Sequence, residues 1–299
     1  MTAPTFDELI WSAAARFRDA DIESPKQNAT ILMIGAFGDT RAALISAGKS
    51  PVPKGVQDVF ESGVERRLLR EPLQHIIGTT EFYGLEIRTD ARALIPRHDS
   101  ETVVETALSL LPKDAPVKIA DLGTGSGCLL AAILANRPHA SGVGVEASAG
   151  AASLAQENLE TLGLAGRGSV FIGRWADWTG WGEVDLIVSN PPYIAHAEIE
   201  SLEPEVRLHD PLAALDGGTD GLDAYREIIR LAGAGMKAGA PLVFEIGHDQ
   251  RAAVLALMAG AGFTDLAHSL DLGGNDRCVW GRAPRGPADF LLGGRSDTQ

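Results

Sequence analysis

With 299 residues, 45% apolar and 22% charged, the chain has the composition of a soluble globular protein, long enough to bury a large core in one large domain or two smaller ones. The net charge of -14, from 26 basic and 40 acidic side chains, disfavours adhesion to naked nucleic acid or to an anionic membrane without excluding a local basic patch. Cys128 and Cys278 stand far apart and outside any His or Cys cluster, so neither a zinc site nor a disulfide framework is indicated and a reducing compartment is expected.

At the N-terminus, Asp7 and Glu8 fall where a signal peptide would be basic and then apolar, so none is expected. No apolar run approaches the length that spans a bilayer, and the expected location is the cytoplasm. Thr5 and Glu8 form a capping box, and Phe6, Ile10, Ala13 and Phe17 recur at helical spacing. Ser24-Pro25 starts a second helix carrying Ala29, Ile31, Leu32 and Ile34 before Gly35; Val56, Phe60, Val64, Leu68 and Leu69 mark a third. Residues 1–71 therefore predict a small helical domain. It holds no paired carboxylates, His cluster or phosphate loop, and suits partner docking or a purely structural role.

Over residues 72–94 the texture changes to Ile76-Ile77-Gly78 and then Phe82 to Arg88, which predicts a β-hairpin joining two domains. A helix carrying Val103, Val104, Ala107 and Leu110 follows, with Asp99 or Ser100 as its N-cap. His98 reads as a loop residue, since no second metal ligand stands at suitable spacing, and no metal is expected. Beyond a linker at Pro112–Pro116, strands and helices alternate within a domain expected to span residues 95–283. Strands are expected at Val117–Asp121, Ser141–Glu146, Ser169–Ile172, Val184–Ser189 and Leu242–Ile246, with a final pair near Phe263–Ser269 and Arg277–Gly281. The helices between them are Cys128–Asn136, Ala149–Leu162, Leu222–Met236 and Gln250–Ala261. Such alternation implies a mainly parallel sheet covered on both faces. Residues 284–299, rich in Gly, Pro and polar side chains, are expected to be disordered.

Two stretches of this domain carry chemistry. In the first, the consecutive apolar residues Leu186, Ile187 and Val188 read as a buried strand that stops at Asn190-Pro191-Pro192-Tyr193. Pro191 disfavours helical geometry at Asn190, and neither proline has an N–H, so the ladder cannot continue. Free carbonyls and a side-chain amide are left at the carboxyl end of the strand, where open α/β sheets place their ligands. A plain proline turn capped by Tyr193 accounts for the same residues. The second stretch, Asp121-Leu122-Gly123-Thr124-Gly125-Ser126-Gly127, follows a strand and opens a helix; Glu146 lies at the end of the next strand, where a carboxylate can accept both hydroxyls of a ribose. Gly-x-Gly-x-Gly lacks the spacing of the dinucleotide fingerprint. A cofactor with a zwitterionic end, S-adenosylmethionine, suits it better than a pyrophosphate does. The alternative is a glycine turn with Glu146 as a solvated cap.

Taken together, Asp121 to Gly127, Glu146 and Asn190 to Tyr193 resemble the class I S-adenosylmethionine-dependent methyltransferases that act on planar nitrogens. The Glu81-Phe82-Tyr83-Gly84 hairpin, Ile95-Pro96-Arg97-His98-Asp99-Ser100-Glu101, Glu205-Val206-Arg207-Leu208-His209-Asp210-Pro211 and the helical N-terminus narrow the likeness. From about Thr5 to Arg282 the chain is similar to the release factor glutamine methyltransferase family. The resemblance implies a seven-stranded, Rossmann-like α/β sheet, mostly parallel with one antiparallel strand, beside a small helical domain. It also implies methyl transfer to the side-chain nitrogen of the glutamine in the Gly-Gly-Gln motif of class I peptide-chain release factors, by a cytoplasmic monomer that does not bind nucleic acid directly.

The residues expected to hold the cofactor are Asp121, Gly123, Thr124, Gly125, Gly127, Glu146, Trp175 and Asn190. Those expected at the substrate are Asn190 and Pro191 as acceptors of the amide N–H bonds, with Pro192 and Tyr193 beside them and Tyr193 as the wall of the slot. The family usually has proline and threonine at the positions of His98 and Ser100. Many members have an acidic residue where this chain has Arg174, which leaves the adenine to main-chain groups or to packing on Trp175. Rival readings are methylation of a ribosomal-protein glutamine, methylation of an exocyclic adenine amine, and a non-catalytic adaptor that binds the cofactor. The acidic balance weighs against the nucleic-acid reading.

Overall fold

The computed structural model describes residues 3–284 of the chain, so the tail expected to be disordered lies outside the described residues except for Pro284. The chain opens with helices α1 (Phe6–Asp19), α2 (Pro25–Phe37), α3 (Arg41–Ala47), α4 (Lys54–Leu68) and α5 (Leu73–Ile77), then the hairpin β1 (Thr79–Phe82) and β2 (Leu85–Arg88). Next come α6 (Glu101–Leu110), β3 (Lys118–Leu122), α7 (Cys128–Asn136), β4 (Ser141–Glu146), α8 (Ala149–Thr161), β5 (Gly168–Ile172) and β6 (Leu186–Ser189). The remainder is α9 (Pro204–His209), α10 (Asp223–Gly235), β7 (Pro241–Glu245), α11 (Arg251–Gly260), β8 (Thr264–Leu270) and β9 (Asp276–Arg282). No single helix among the described residues is long and apolar enough to cross a membrane. Two compact units result among the described residues: 3–79 together with Glu203–His209, and Thr80–Leu202 together with 210–284.

In the first unit, α1 starts where Thr5 and Glu8 satisfy each other's backbone: the Thr5 hydroxyl accepts from the Glu8 N–H at 3.3 Å, and Glu8 Oε2 accepts from the Thr5 N–H at 2.8 Å. Its apolar stripe buries Phe6, Ile10 and Phe17 against Met33 of α2 and Phe60 of α4. α2 runs through Gly35, where a helix end is expected, and stops at Gly38, whose φ of +70° only glycine adopts without strain. The sequence reading has no counterpart for α3, a seven-residue helix capped by the Thr40 hydroxyl. Ile76 and Ile77, read as part of a hairpin, close α5 instead, because Pro72 and Gly78 bound a single helical turn.

The segment Glu203–His209 joins this unit through charge. Arg67 is buried, and its guanidinium donates to Glu205 at 2.8 Å, to Asn28 Oδ1 at 2.8 Å and to the Glu71 carbonyl at 3.2 Å. Arg70 adds a second contact to Glu205 at 3.3 Å.

The second unit contains a seven-stranded sheet in the order β5-β4-β3-β6-β7-β9-β8. β3 to β7 pair in parallel, and β9 runs antiparallel to both of its neighbours. Alternation along β6 divides the core between the two faces. Leu186 and Val188 pack with Val104 of α6 and Ile133 of α7, whereas Ile187 packs with Tyr225 of α10 and Phe244. A separate two-stranded sheet turns at Tyr83 and Gly84, both with positive φ (+51° and +77°), as a tight two-residue hairpin requires. The register that positions everything below pairs Leu122 with Ser189 and Ser189 with Phe244.

Because Arg67 has little water to fall back on, Glu205→Ala is expected to destabilise the helical unit by about 2–3 kcal/mol, the scale for stranding a buried, hydrogen-bonded charge. Urea unfolding followed by helical circular dichroism reads this as a lower first midpoint. Replacing the exposed pair Lys54–Asp58 gives the control, with a change of less than about 0.5 kcal/mol.

Candidate active site

At the carboxyl ends of β3, β4 and β6 lies a cavity of about 410 Å³. Three levels of the sheet supply its floor. After β3 the loop Gly123–Gly127 takes φ of +71° at Gly123, +56° at Gly125 and +79° at Gly127, a path closed to most side chains. Gly144 on β4 leaves room for it: a Cβ there would lie 2.7 Å from Thr124 Cγ2. The Thr124 hydroxyl donates to Asp121 Oδ2 at 2.6 Å, and Asn158 Nδ2 donates to the Ser126 carbonyl at 2.8 Å, which ties the loop down from behind.

Glu146 ends β4 with its carboxylate fixed. Oε2 accepts from the Gly125 N–H at 3.0 Å and Oε1 from the Ser148 N–H at 2.9 Å. Each oxygen keeps a lone pair for a further donor. Trp175 lies across the loop, its ring 3.7 Å from where a Cβ on Gly123 would stand. Arg174, also at the rim, pairs with Asp177 at 2.9 Å. The loop over the cavity from Ile95 to Arg97 is tied to the one at Pro211 by an ion pair of 3.6 Å between Arg97 and the buried Asp210.

Asn190 follows β6 and faces the same cavity, and its Nδ2 donates to the Ser100 hydroxyl at 3.3 Å. Ser100, expected as an N-cap, makes no capping bond and is itself helical; its side chain serves Asn190 instead. The turn beyond is clamped. Gln250 Nε2 donates to the Tyr193 carbonyl at 2.9 Å, and a Cβ on Gly221 (φ +72°) would collide with that same oxygen.

Of the residues expected at the site, Gly123, Thr124, Gly125, Glu146, Trp175, Asn190 and Pro192 share the cavity wall. Asp121, Gly127, Pro191 and Tyr193 are not on it. Asp121 is buried beneath the loop, and Tyr193 packs partly buried against the core. The sequence marks Ser100 as a cap and Gln250 as a helix start, but not their bonds to Asn190 and Tyr193, nor the place of Gly221, because these residues lie far from Asn190 and Tyr193 in the chain. His98, expected in a loop, opens a single 3-10 turn, His98–Ser100, and lies exposed near Glu81 and Glu101, with Nδ1 3.1 Å from Glu101 Oε1.

Two family models match the chain: the PrmC N-terminal domain at residues 8–78 and the methyltransferase small domain at residues 100–205. A release factor glutamine methyltransferase from Caulobacter vibrioides is 40% identical over 272 residues, covering 91% of this chain and 94% of the relative. The chain belongs to the release factor glutamine methyltransferase family. A second relative of that name, from Geobacter sulfurreducens, is 43% identical over 261 residues, 87% of this chain and 90% of its own. The fold recurs in the hMettl16 catalytic domain solved with the MAT2A 3'UTR hairpin 6, at a TM-score of 0.51 and 14% identity, covering 76% of this chain and 82% of that one.

For this family member the cavity fits S-adenosylmethionine. Its volume is that of a small-molecule site, a side chain on Gly123 would reach the Trp175 ring, and Glu146 holds two open lone pairs beside the loop. Glu146 would hold the ribose, and the loop would take the methionine end.

Burial pushes Asp121 up to about 7 from an ordinary 3.8, against the bond from Thr124 and with Glu146 nearby. The folded protein therefore binds a proton between these values that the unfolded chain does not. This group's share of stability falls as pH rises from about 4 to about 7. Asp121→Asn is expected to flatten the decline in urea-unfolding free energy between pH 5.5 and 7 by up to about 1.4 kcal/mol per pH unit.

Proposed function

We propose that the chain transfers the methyl group of S-adenosylmethionine to the side-chain amide nitrogen of the glutamine in the Gly-Gly-Gln motif of class I peptide-chain release factors, as a cytoplasmic monomer that makes no direct use of nucleic acid. Family membership supports the reaction, and one observation of the site carries it. Asn190 faces the cavity with its NH2 group held by Ser100, which leaves Oδ1 as the atom to meet an incoming donor.

An amide nitrogen is a weak nucleophile because its lone pair is delocalised into its carbonyl. Two acceptors that take its N–H bonds orient what remains of that lone pair. Asn190 Oδ1 is one and the Pro191 carbonyl the other; Pro191 itself is buried and off the cavity wall, and among the described residues no backbone N–H donates to its carbonyl. When bound, S-adenosylmethionine supplies a methyl on a sulfonium centre that a neutral nitrogen can attack. Positive charge grows on the substrate nitrogen during attack, so both acceptors bind the transition state more tightly than the ground state, and no general base need act during transfer. Pro192 closes the slot from the cavity side. Asp121 supports the cofactor by holding Thr124, and the helical unit is the part suited to engage the release factor.

The deciding experiment incubates the protein with methyl-labelled S-adenosylmethionine and a class I release factor, its Gln-replaced variant, or RNA. Label is expected on the first alone; label on RNA, or on the Gln-replaced factor, overturns the reading. Asn190→Ala should lower turnover by about a hundredfold or more, the scale for losing a preorganised partner of developing charge, with calorimetric cofactor affinity nearly intact. Glu146→Ala should do the reverse and raise the cofactor Kd, and an unchanged Kd removes Glu146 from the site.

A further inference from the structure

β7 ends in Glu245, which is not on the cavity wall and which the reaction outlined above does not use. Register brings it next to Asn190: Ser189 pairs with Phe244 as the last rung of that ladder, and Asn190 and Glu245 are the residues that follow. Glu245 is 2% exposed, and its Oε2 has no hydrogen-bond partner among the described residues. Ser100, Arg277 and Asn190 favour its ionised form and Asp99 opposes it, but burial outweighs them and pushes the group up to about 7, so both forms are populated at neutral pH.

Resting on the reading of Asn190 as the acceptor of the substrate amide, we propose that Glu245 is a positioning residue that, with Ser100, fixes which end of the Asn190 side chain faces the substrate. The two ends of an asparagine amide are nearly the same shape and opposite in hydrogen bonding. Turned one way, Oδ1 meets the incoming N–H; turned the other, NH2 meets NH2 and the slot repels its substrate. Packing cannot tell these apart, so a polar group behind the side chain must. Ionised, the Glu245 carboxylate only accepts, and the Ser100 hydroxyl presents a lone pair to Asn190 Nδ2 at 3.3 Å. Both groups then demand the NH2 end. In that form Glu245 also favours the positive charge that develops on the substrate nitrogen.

A merely structural glutamate would lower stability when replaced. A positioning one lowers turnover without changing how cofactor or release factor binds. Glu245→Met keeps the volume and removes the acceptor; it is expected to cut kcat by about tenfold to hundredfold, the scale for losing a partner that orients a contacting group, with the cofactor Kd and the KM for release factor within threefold. Glu245→Gln restores an acceptor and should recover most of that loss. Ser100→Ala, which leaves the strand untouched, should lose kcat in the same sense, and the Ser100→Ala/Glu245→Met double variant should lose less than the product of the two. It also provides the test should Glu245→Met fail to fold. A kcat within threefold of the parent in Glu245→Met or Ser100→Ala, or no recovery in Glu245→Gln, overturns the proposal. Undiminished turnover in Asn190→Ala overturns instead the reading on which it rests, and loss there with none in the other two sinks this inference alone.

Discussion

The ladder of β6 ends at Ser189, and the two residues after Asn190 have no N–H with which to extend it, while β3 and β7 pair with it only up to the same level. That shared edge makes the ends of three strands coincide. Leu122 faces Ser189 and Ser189 faces Phe244, so the chain continues as Gly123, Asn190 and Glu245 side by side. A glycine loop, an amide and a buried carboxyl thus stand in one row without any of them being close in sequence. Shifting β6 by one residue would exchange its two faces, sending Ile187 into the layer of Leu186 and Val188 and carrying the row apart; the packing of the core protects the register of the site.

Much of this was legible from the sequence because the constraints were local. Proline chemistry ends β6, positive φ demands glycine at 123, 125 and 127, and apolar runs mark the parallel strands to within two residues. What stayed hidden was either short or long-range. α5 is five residues long, and its β-branched Ile76 and Ile77 favour strand; only Pro72 before it and Gly78 after it decide the matter. Ser100 reaches Asn190 across 90 residues and Gln250 reaches Tyr193 across 57, and no spacing rule connects such pairs. The place of Asp121 before the glycines marks it for the cofactor site; what that place does not reveal is its buried bond to Thr124, which supports the loop from beneath.

The electrostatic design follows from the same geometry. At the active end of the sheet two carboxyls, Asp121 and Glu245, are buried to the point that each is pushed up to about 7. Elsewhere acids sit in ion pairs that hold them below their ordinary values, as Arg66 does for Glu71 and Arg92 for Glu157. The contrast separates two uses of charge. Paired acids stabilise the fold; the two buried acids weaken it near neutral pH, and one of them, Asp121, takes the hydrogen bond of Thr124 that ties down the glycine loop.

Alternation explains how four consecutive residues divide between cavity and core. The residue before a proline is kept extended, so Asn190 and Pro191, each followed by proline, prolong the pleat of β6 beyond its last hydrogen bond. Residues two apart then share a side: Asn190 and Pro192 line the cavity, whereas Pro191 is buried and Tyr193 packs against the core. Burial and the nearby Glu245 push the Tyr193 phenol up to about 12, so at neutral pH it is an uncharged anchor. Its carbonyl is held by Gln250 and crowded by Gly221, which fixes the chain on the far side of the prolines. Between that clamp and the end of the ladder, Pro191 has no freedom in φ and its carbonyl no competing backbone donor among the described residues. The rigidity that an in-line attack by an amide requires is therefore a property of the backbone on both sides of Asn190, with the side chains behind it needed only to choose which end of one amide faces out.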